Sequence, residues 1–327
     1  MSKVPQSDSE KETLLVAGSA GFVGKALLRR LAEKHRPVVS LYNAHLPEAM
    51  AYTTPIFADI LRPEFLPSAL HNTKTVVHLA WSQSFHSRWE EALWGHEGTK
   101  QDSRNIQMVK NLVQAMEEAG TQRIIFLSAL GARRDAESWY LQEKYFAEAV
   151  ILNSRIPEKI ILRSSLVFSD LSAKDRFVST IERLMRFPWF YPVPRCREKL
   201  APIHVFDLCE TITKLIDLEM RESAYLLEID GGEALALEDM FRYISQGIGK
   251  GTHIALRGLL GQTLAPLIES LNRRSQKDLP QLRDLLTIGH QRAPEAALNN
   301  PMFNALPRQT RRFKESMTAG APEVPPH

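Results

Sequence analysis

Tyr140 and Lys144 stand four residues apart in Tyr140-Leu-Gln-Glu-Lys144, a spacing that puts both side chains on one face of a helix. A phenol and an ammonium group so placed suit proton transfer to or from an oxygen. Chance alone supplies such a pair in roughly one of three comparable chains, so its setting matters more than its existence. Ser128, a third polar group, lies twelve residues upstream at the end of an apolar run. Nearer the N-terminus, Gly18-Ser-Ala-Gly21-Phe-Val-Gly24 follows Thr13-Leu-Leu-Val-Ala17. Between a strand and a helix, the first glycine allows a tight turn and the second lets backbone approach a pyrophosphate. The third lets helix and strand pack closely, and the helix N-terminus offers a positive dipole end. Glycines also mark ordinary turns; the strand-turn-helix context is what makes dinucleotide binding the expectation.

Positioning these residues requires a parallel sheet. From Thr13 onward short apolar runs alternate with stretches of helical period, the pattern of βαβ units with helices on both faces. Strands are expected at Thr13–Ala17, Val38–Tyr42, Ile56–Ala58, Thr75–Ala80, Arg123–Ser128, Lys159–Arg163 and Ala224–Ile229. Helices are expected from Gly21 to about His35, then over Asp102–Glu118, Val205–Leu218 and Leu237–Ile248. Phe187-Pro-Trp-Phe-Tyr-Pro-Val-Pro194 reads as a lining loop, because its prolines remove donors and fix φ. Leu256, Leu259, Leu260, Leu264, Leu267, Ile268 and Leu271 recur at helical spacing, which fits packing on the core, a homodimer face or a membrane-surface face. The fold class is therefore α/β, a Rossmann-type doubly wound parallel sheet with a smaller C-terminal substrate or helical lobe. The expected divisions are a flexible tail over 1–11, a nucleotide-binding domain over 12–165, a substrate-side lobe over 166–250, and a helical extension over 251–327 with a frayed tail from about Thr310.

Composition closes several alternatives. With 41 basic and 38 acidic residues in 327, the net charge of +3 is too small and dispersed for a nucleic-acid partner. Cys196 and Cys209 form neither a CxxC pair nor a disulfide framework, which fits a reducing, cytoplasmic setting. No run approaches the length of a transmembrane span. His71, His78, His86 and His96 lack metal-ligand spacing, and His78 reads as a core imidazole. Trp81, Trp89 and Trp94 read first as packing residues. Arg273, Arg274, Arg311, Arg312 and Lys314 give the C-terminal segment a basic bias, which suits a solvated face, an acidic partner or anionic lipid.

The glycine spacing is GxxGxxG, and with its surroundings the chain resembles the short-chain dehydrogenase/reductase superfamily in its extended and atypical branches. The resemblance rests also on Ala58-Asp59-Ile60, Val76-Val-His-Leu-Ala80, Asn105–Leu112, Ile124-Ile-Phe-Leu-Ser128-Ala-Leu-Gly131 and the YxxxK signature at Tyr140 and Lys144. Ile161–Val167, Pro202-Ile-His-Val-Phe-Asp207 and Leu227–Gly232 continue it, so that it covers residues 12–250 in order. Within that superfamily the chain is similar to NAD-dependent epimerase/dehydratase-like members and to the nucleotide-binding accessory subunit of respiratory complex I. The resemblance implies that Gly18, Ala20, Gly21, Phe22, Val23, Gly24, Asn43, Asp59, Ile60, Leu79, Ala80, Trp81, Ser128, Tyr140 and Lys144 hold the cofactor. It also implies that Tyr140 exchanges a proton with substrate, that Lys144 holds the nicotinamide ribose and favours phenolate, and that Ser128 orients the substrate oxygen. His204 and Asp207, in the motif after the substrate loop, read as helix-start residues.

Two departures qualify the activity. Ala129 stands where active relatives carry a further hydroxyl, and Arg163-Ser164 stands where many carry Arg-Pro. The expected function is an NAD(P)(H)-dependent oxidoreductase or epimerase-like enzyme acting on a small, hydrophobic or quinone-like molecule. The alternative is a non-catalytic NADPH-binding assembly or redox-sensing protein. After the second strand, Leu41-Tyr42-Asn43-Ala44-His45 has no carboxylate to take a ribose 2′-OH and repel a 2′-phosphate. NADP(H) is therefore favoured over NAD(H), with His45 a candidate partner for the phosphate.

Overall fold

A computed structural model describes residues 13–43, 46, 49–81, 103–136, 139–170, 178, 190–193, 199–249, 254–257 and 311–318. The first strand, β1 (Thr13–Ala17), is buried from Leu14 onward, which is what an uninterrupted apolar run requires of a strand covered on both faces. It pairs in parallel with β2 (Val38–Tyr42) on one side and with β4 (Thr73–His78) on the other. β3 (Thr53–Phe57) adds to β2, and β5 (Arg123–Ala129) adds to β4, both in parallel. With β6 (Glu158–Ser164) and β10 (Ala224–Ile229) they form a seven-stranded parallel sheet of order β10-β6-β5-β4-β1-β2-β3. The order reverses between β1 and β4, leaving a crevice past the carboxyl ends of those strands, where such sheets receive ligands.

Helices follow from amphipathic spacing. The first, α1 (Phe22–Glu33), buries Leu27, Leu28 and Leu31. A short α2 (Leu66–Leu70) precedes β4, and α3 (Arg104–Ala119) buries Ile106, Val109, Leu112, Val113 and Met116, the stripe its sequence predicts. Ser103 Oγ caps α3 by accepting the Ile106 N–H at 3.3 Å, and Gly120 ends it at φ +71°. α4 (Trp139–Leu152) carries the YxxxK segment; α5 (Val205–Ile216) and α6 (Leu237–Gly247) follow.

The described chain falls into two compact units. The first takes residues 1–127, 145–161 and 215–226, and the second takes 128–144, 162–214 and 227–327. In the first unit, one apolar cluster joins Leu15, Leu41, Val76, Leu112, Phe126 and Ile161. In the second unit β7 (Val167–Phe168) pairs with β9 (Ile203–His204), and β8 (Phe190–Val193) pairs with β11 (Ile254–Arg257).

Three local expectations change. The third strand starts at Thr53 rather than Ile56, because Pro55 is admitted on the outermost strand, where one row of backbone groups has no ladder to serve. The same reasoning puts Phe190–Val193, with Pro192, in a two-stranded ladder instead of a loop; Leu256, expected in the helical stripe, is its strand neighbour. The segment expected to fray contains α7 (Phe313–Thr318), whose Phe313 and Met317 are buried. The remaining stripe leucines, Arg273, Arg274, residues 1–11, Trp89, Trp94, His86, His96 and Cys196 lie outside the described residues.

Arg123, at the start of β5, ties the first unit together. Its Nε donates to Glu158 Oε2 at 2.6 Å, and its remaining donors reach the carbonyls of Leu215 (3.2 Å), Ile216 (2.7 Å) and Leu218 (2.6 Å). Those carbonyls lie at and just beyond the end of α5, and one guanidinium bonds all three. Replacing Arg123 with Met should lower unfolding free energy on the order of 3 kcal/mol in urea titration, since buried acceptors and Glu158 lose their donor.

Candidate functional site

The glycine loop is fixed by contacts that leave no space. Gly18 has φ +85°, and a β-carbon there would lie 2.4 Å from the backbone nitrogen of Ala80. A β-carbon on Gly24 would lie 2.3 Å from the Gly18 carbonyl oxygen. Between them Gly21 is exposed, and an added β-carbon would meet only the Gly18 oxygen, at 3.2 Å. Gly21 is the N-cap of α1 and, having no side chain, makes no side-chain cap. Ala20 and Val23 are half-buried, and Phe22, the first residue of α1, is exposed. Ser19, which the motif reading passed over, is fully buried. Its Oγ donates to the Leu41 carbonyl at 2.9 Å and accepts from Ser40 Oγ at 2.7 Å, clipping the loop to β2. Close-packed glycine backbone and a helix N-terminus together suit a dinucleotide pyrophosphate.

The neighbouring positions vary in availability. Asn43 is exposed just past β2. Asp59 is half-buried, and its Oδ1 already accepts the Leu61 N–H at 3.0 Å. Ile60 is buried, its carbonyl accepting from Asn111 Nδ2 at 2.9 Å. Leu79, Ala80 and Trp81 are half-buried directly after β4, and the Trp81 ring lies 6.0 Å from that of Phe126. His78 is a core residue, stacked on Phe126 at 5.5 Å. Of the arginines near the second strand, Arg30 pairs with Glu33 at 2.9 Å and Arg36 pairs with Asp217. Ala44 and His45 lie outside the described residues.

Ser128, Tyr140 and Lys144 all belong to the second unit. Ser128 is buried near the end of β5, followed by the equally buried Ala129. Tyr140 is half-buried against Ala129, Ala136 and Leu141. Lys144 is buried, its Nζ 5.8 Å from the centre of the Tyr140 ring. The sequence reading missed Glu143, three residues after Tyr140 and only 7% exposed. Helical spacing was the available signal for it.

Burial pushes the Tyr140 hydroxyl up to about 12, and the Glu143 carboxylate pushes it the same way. The phenol therefore keeps its proton throughout the neutral range. Among the described residues there is no cluster of groups suited to a metal ion, and no helix long and apolar enough to cross a membrane.

Residues 18–176 match the model of the NAD(P)H-binding family. This segment is an NAD(P)H-binding domain. It is similar to the nucleotide-binding domains of the short-chain dehydrogenase/reductase type that the motifs resemble. Among curated proteins, the chain is 24% identical to mouse mitochondrial NADH dehydrogenase (ubiquinone) 1 alpha subcomplex subunit 9, over 60% of this chain and 51% of that protein. It is 23% identical to the 2-alkyl-3-oxoalkanoate reductase of Stenotrophomonas maltophilia, over 77% of this chain and 74% of that one. The chain spans about half the length, or less, of the first curated relatives it matches. Among solved structures, MoeE5 in complex with UDP-glucuronic acid and NAD superposes with a TM-score of 0.60 at 21% identity, covering 76% of this chain and 87% of that one. At that identity the likeness is one of fold, and the NAD(P)H-binding domain shares the epimerase-like sheet.

The raised Tyr140 hydroxyl has a thermodynamic signature. In the unfolded chain a tyrosine ionises near 10, whereas the folded protein holds this proton to about 12. The resulting stabilisation is complete below pH 10 and is lost as pH rises from 10 to 12. Urea unfolding across that window should show a steeper fall for wild type than for Tyr140→Phe; parallel curves would refute the assignment.

Proposed function

We propose that the chain is an NADP(H)-dependent oxidoreductase that reduces a carbonyl on a small hydrophobic molecule, in the cytoplasm. The observation that carries this reading is the placement of Tyr140 four residues before buried Lys144 on one helix. Gly18, Ala20, Gly21, Phe22, Val23 and Gly24 would hold the pyrophosphate, and Asn43, Asp59, Ile60, Leu79, Ala80 and Trp81 would take the adenosine and ribose portions. The nicotinamide supplies hydride when bound. Tyr140 donates its proton to the substrate oxygen, Lys144 bonds the nicotinamide ribose and compensates the phenolate that results, and Ser128 orients the oxygen. NADP(H) is preferred because β2 ends on Tyr42 and Asn43 with no carboxylate to repel a 2′-phosphate. A hydrophobic substrate suits the apolar, aromatic composition around 187–194, and the Stenotrophomonas relative is named for an alkyl-bearing oxo acid.

A second reading has its own support. Ala129 is buried at the end of β5 where active relatives carry a hydroxyl, and the mouse relative is named as a subunit of NADH dehydrogenase. On that reading the nucleotide stabilises the fold or a partner-binding surface by mass action, without turnover.

Calorimetric titration of nucleotide-stripped protein with NADPH and NADH separates the claims. NADPH should bind more tightly than NADH, and Gly21→Asp, which sets a carboxylate at the glycine loop, should weaken NADPH binding on the order of a hundredfold. Tyr140→Phe should keep nucleotide binding while reducing NADPH oxidation on a panel of medium-chain oxo compounds by about a hundredfold or more. Tight binding with no Tyr140-dependent turnover on any of them would favour the second reading.

A further inference from the structure

His204 is completely buried in the second unit, at the junction of β9 and α5. Its Nδ1 accepts the Phe206 N–H at 3.2 Å, which makes the neutral ring the Nε2–H form, and Nε2 faces Asp170 Oδ1 at 3.4 Å. The Phe206 ring stacks on the imidazole at 5.4 Å and 22°, and the Arg311 guanidinium lies 4.4 Å from the centre of that same ring. The Phe168 ring meets the imidazole edge-on at 5.1 Å and meets Phe313 at 4.8 Å. Arg311 also donates its backbone N–H to Asp207 Oδ2 at 3.3 Å and lies 4.0 Å from Asp170 Oδ2. Two of the routes by which residues 311–318 hold this hub, Arg311 through Phe206 and Phe313 through Phe168, pass through a ring packed on His204; the Arg311–Asp207 bond and the packing of α7 on α6 are separate from it.

We propose that residues 311–318 are a clasp, closed on a neutral His204 near pH 7.5 and released when that imidazole takes a proton in mild acid. Protonation converts Nδ1 from acceptor to donor, so the Phe206 N–H loses its partner. It also puts a second cation against the Phe206 ring that already carries Arg311. Release uncovers Phe168 and Phe313, an aromatic patch hidden in the closed form.

The charged groups around the imidazole are Asp170 after β7, Asp207 on α5 and Arg311 on the C-terminal segment. Burial lowers the affinity of His204 for a proton most; Asp170 opposes this, Arg311 adds to it and Asp207 opposes it. The sign follows: a solvated histidine takes its proton near 6.5 while the buried one resists, so the closed form weakens as pH falls below that value.

Hydrogen exchange with mass spectrometry, expressed as protection factors to remove the intrinsic pH dependence, reads the clasp directly. In the full-length wild type, protection within 313–318 should fall progressively below about 6.5, by at most about tenfold per pH unit, while protection in β1 stays level. His204→Gln, which keeps an acceptor and a donor but does not titrate, should give a flat profile. If that variant does not fold, Arg311→Met decides: this half-exposed side chain can be removed without touching the core, and protection in 313–318 at pH 7.5 should drop while that of β1 holds. A flat wild-type profile between pH 7.5 and 5.5, or an Arg311→Met variant as protected as wild type, would overturn the proposal.

Discussion

The first unit depends on how closely the backbone after β1 passes the backbone after β4. At Gly18 the two lie so near that a single added carbon would overlap Ala80, and at Gly24 the first turn of α1 is as near to the Gly18 carbonyl. The Leu79 N–H completes the junction by donating to the Ala17 carbonyl at 2.9 Å. Ser19 and Ser40 then bond across to the end of β2. Three strand ends and a helix start are thereby held in one register, and the price is that positions 18 and 24 accept no side chain. A helix fixed this way begins at the point where the strand order reverses, the place where such sheets receive ligands.

Burial dominates the titratable groups of the second unit. Tyr140 and His204 are chemically opposite, one an acid and one a base, yet each is shifted toward its neutral form. The shared cause is desolvation, which penalises whichever form carries charge. Carboxylates tune the result in both cases. Glu143 reinforces burial at Tyr140, whereas Asp170 opposes it at His204. A neutral phenol beside buried Lys144 favours donating a proton over accepting one, and a neutral imidazole permits aromatic rings to close around it.

Arg123 shows a third use of charge. A half-solvated lysine would satisfy Glu158 equally well, but only a planar guanidinium also reaches three carbonyls at the end of α5. The sequence marks Arg123 merely as the first residue of an apolar strand. Its role arises because the end of α5, some ninety residues later in the chain, is brought beside β5.

What the sequence by itself determined is the part governed by short-range rules. Apolar runs of strand length, helical stripes such as Ile106 to Met116, and three glycines at fixed offsets each state their structure locally, since period and φ freedom are properties of adjacent residues. The Tyr140–Lys144 spacing was legible for the same reason. Only the tertiary structure decided that Pro55 and Pro192 sit on outer strands, because edge position is a property of the whole sheet. Likewise it decided that Glu143, Phe313 and Met317 are buried, and that Arg311 stacks on Phe206. Those outcomes depend on contacts between residues far apart in the chain, and desolvation has no counterpart in a linear pattern until the burying partners are in place.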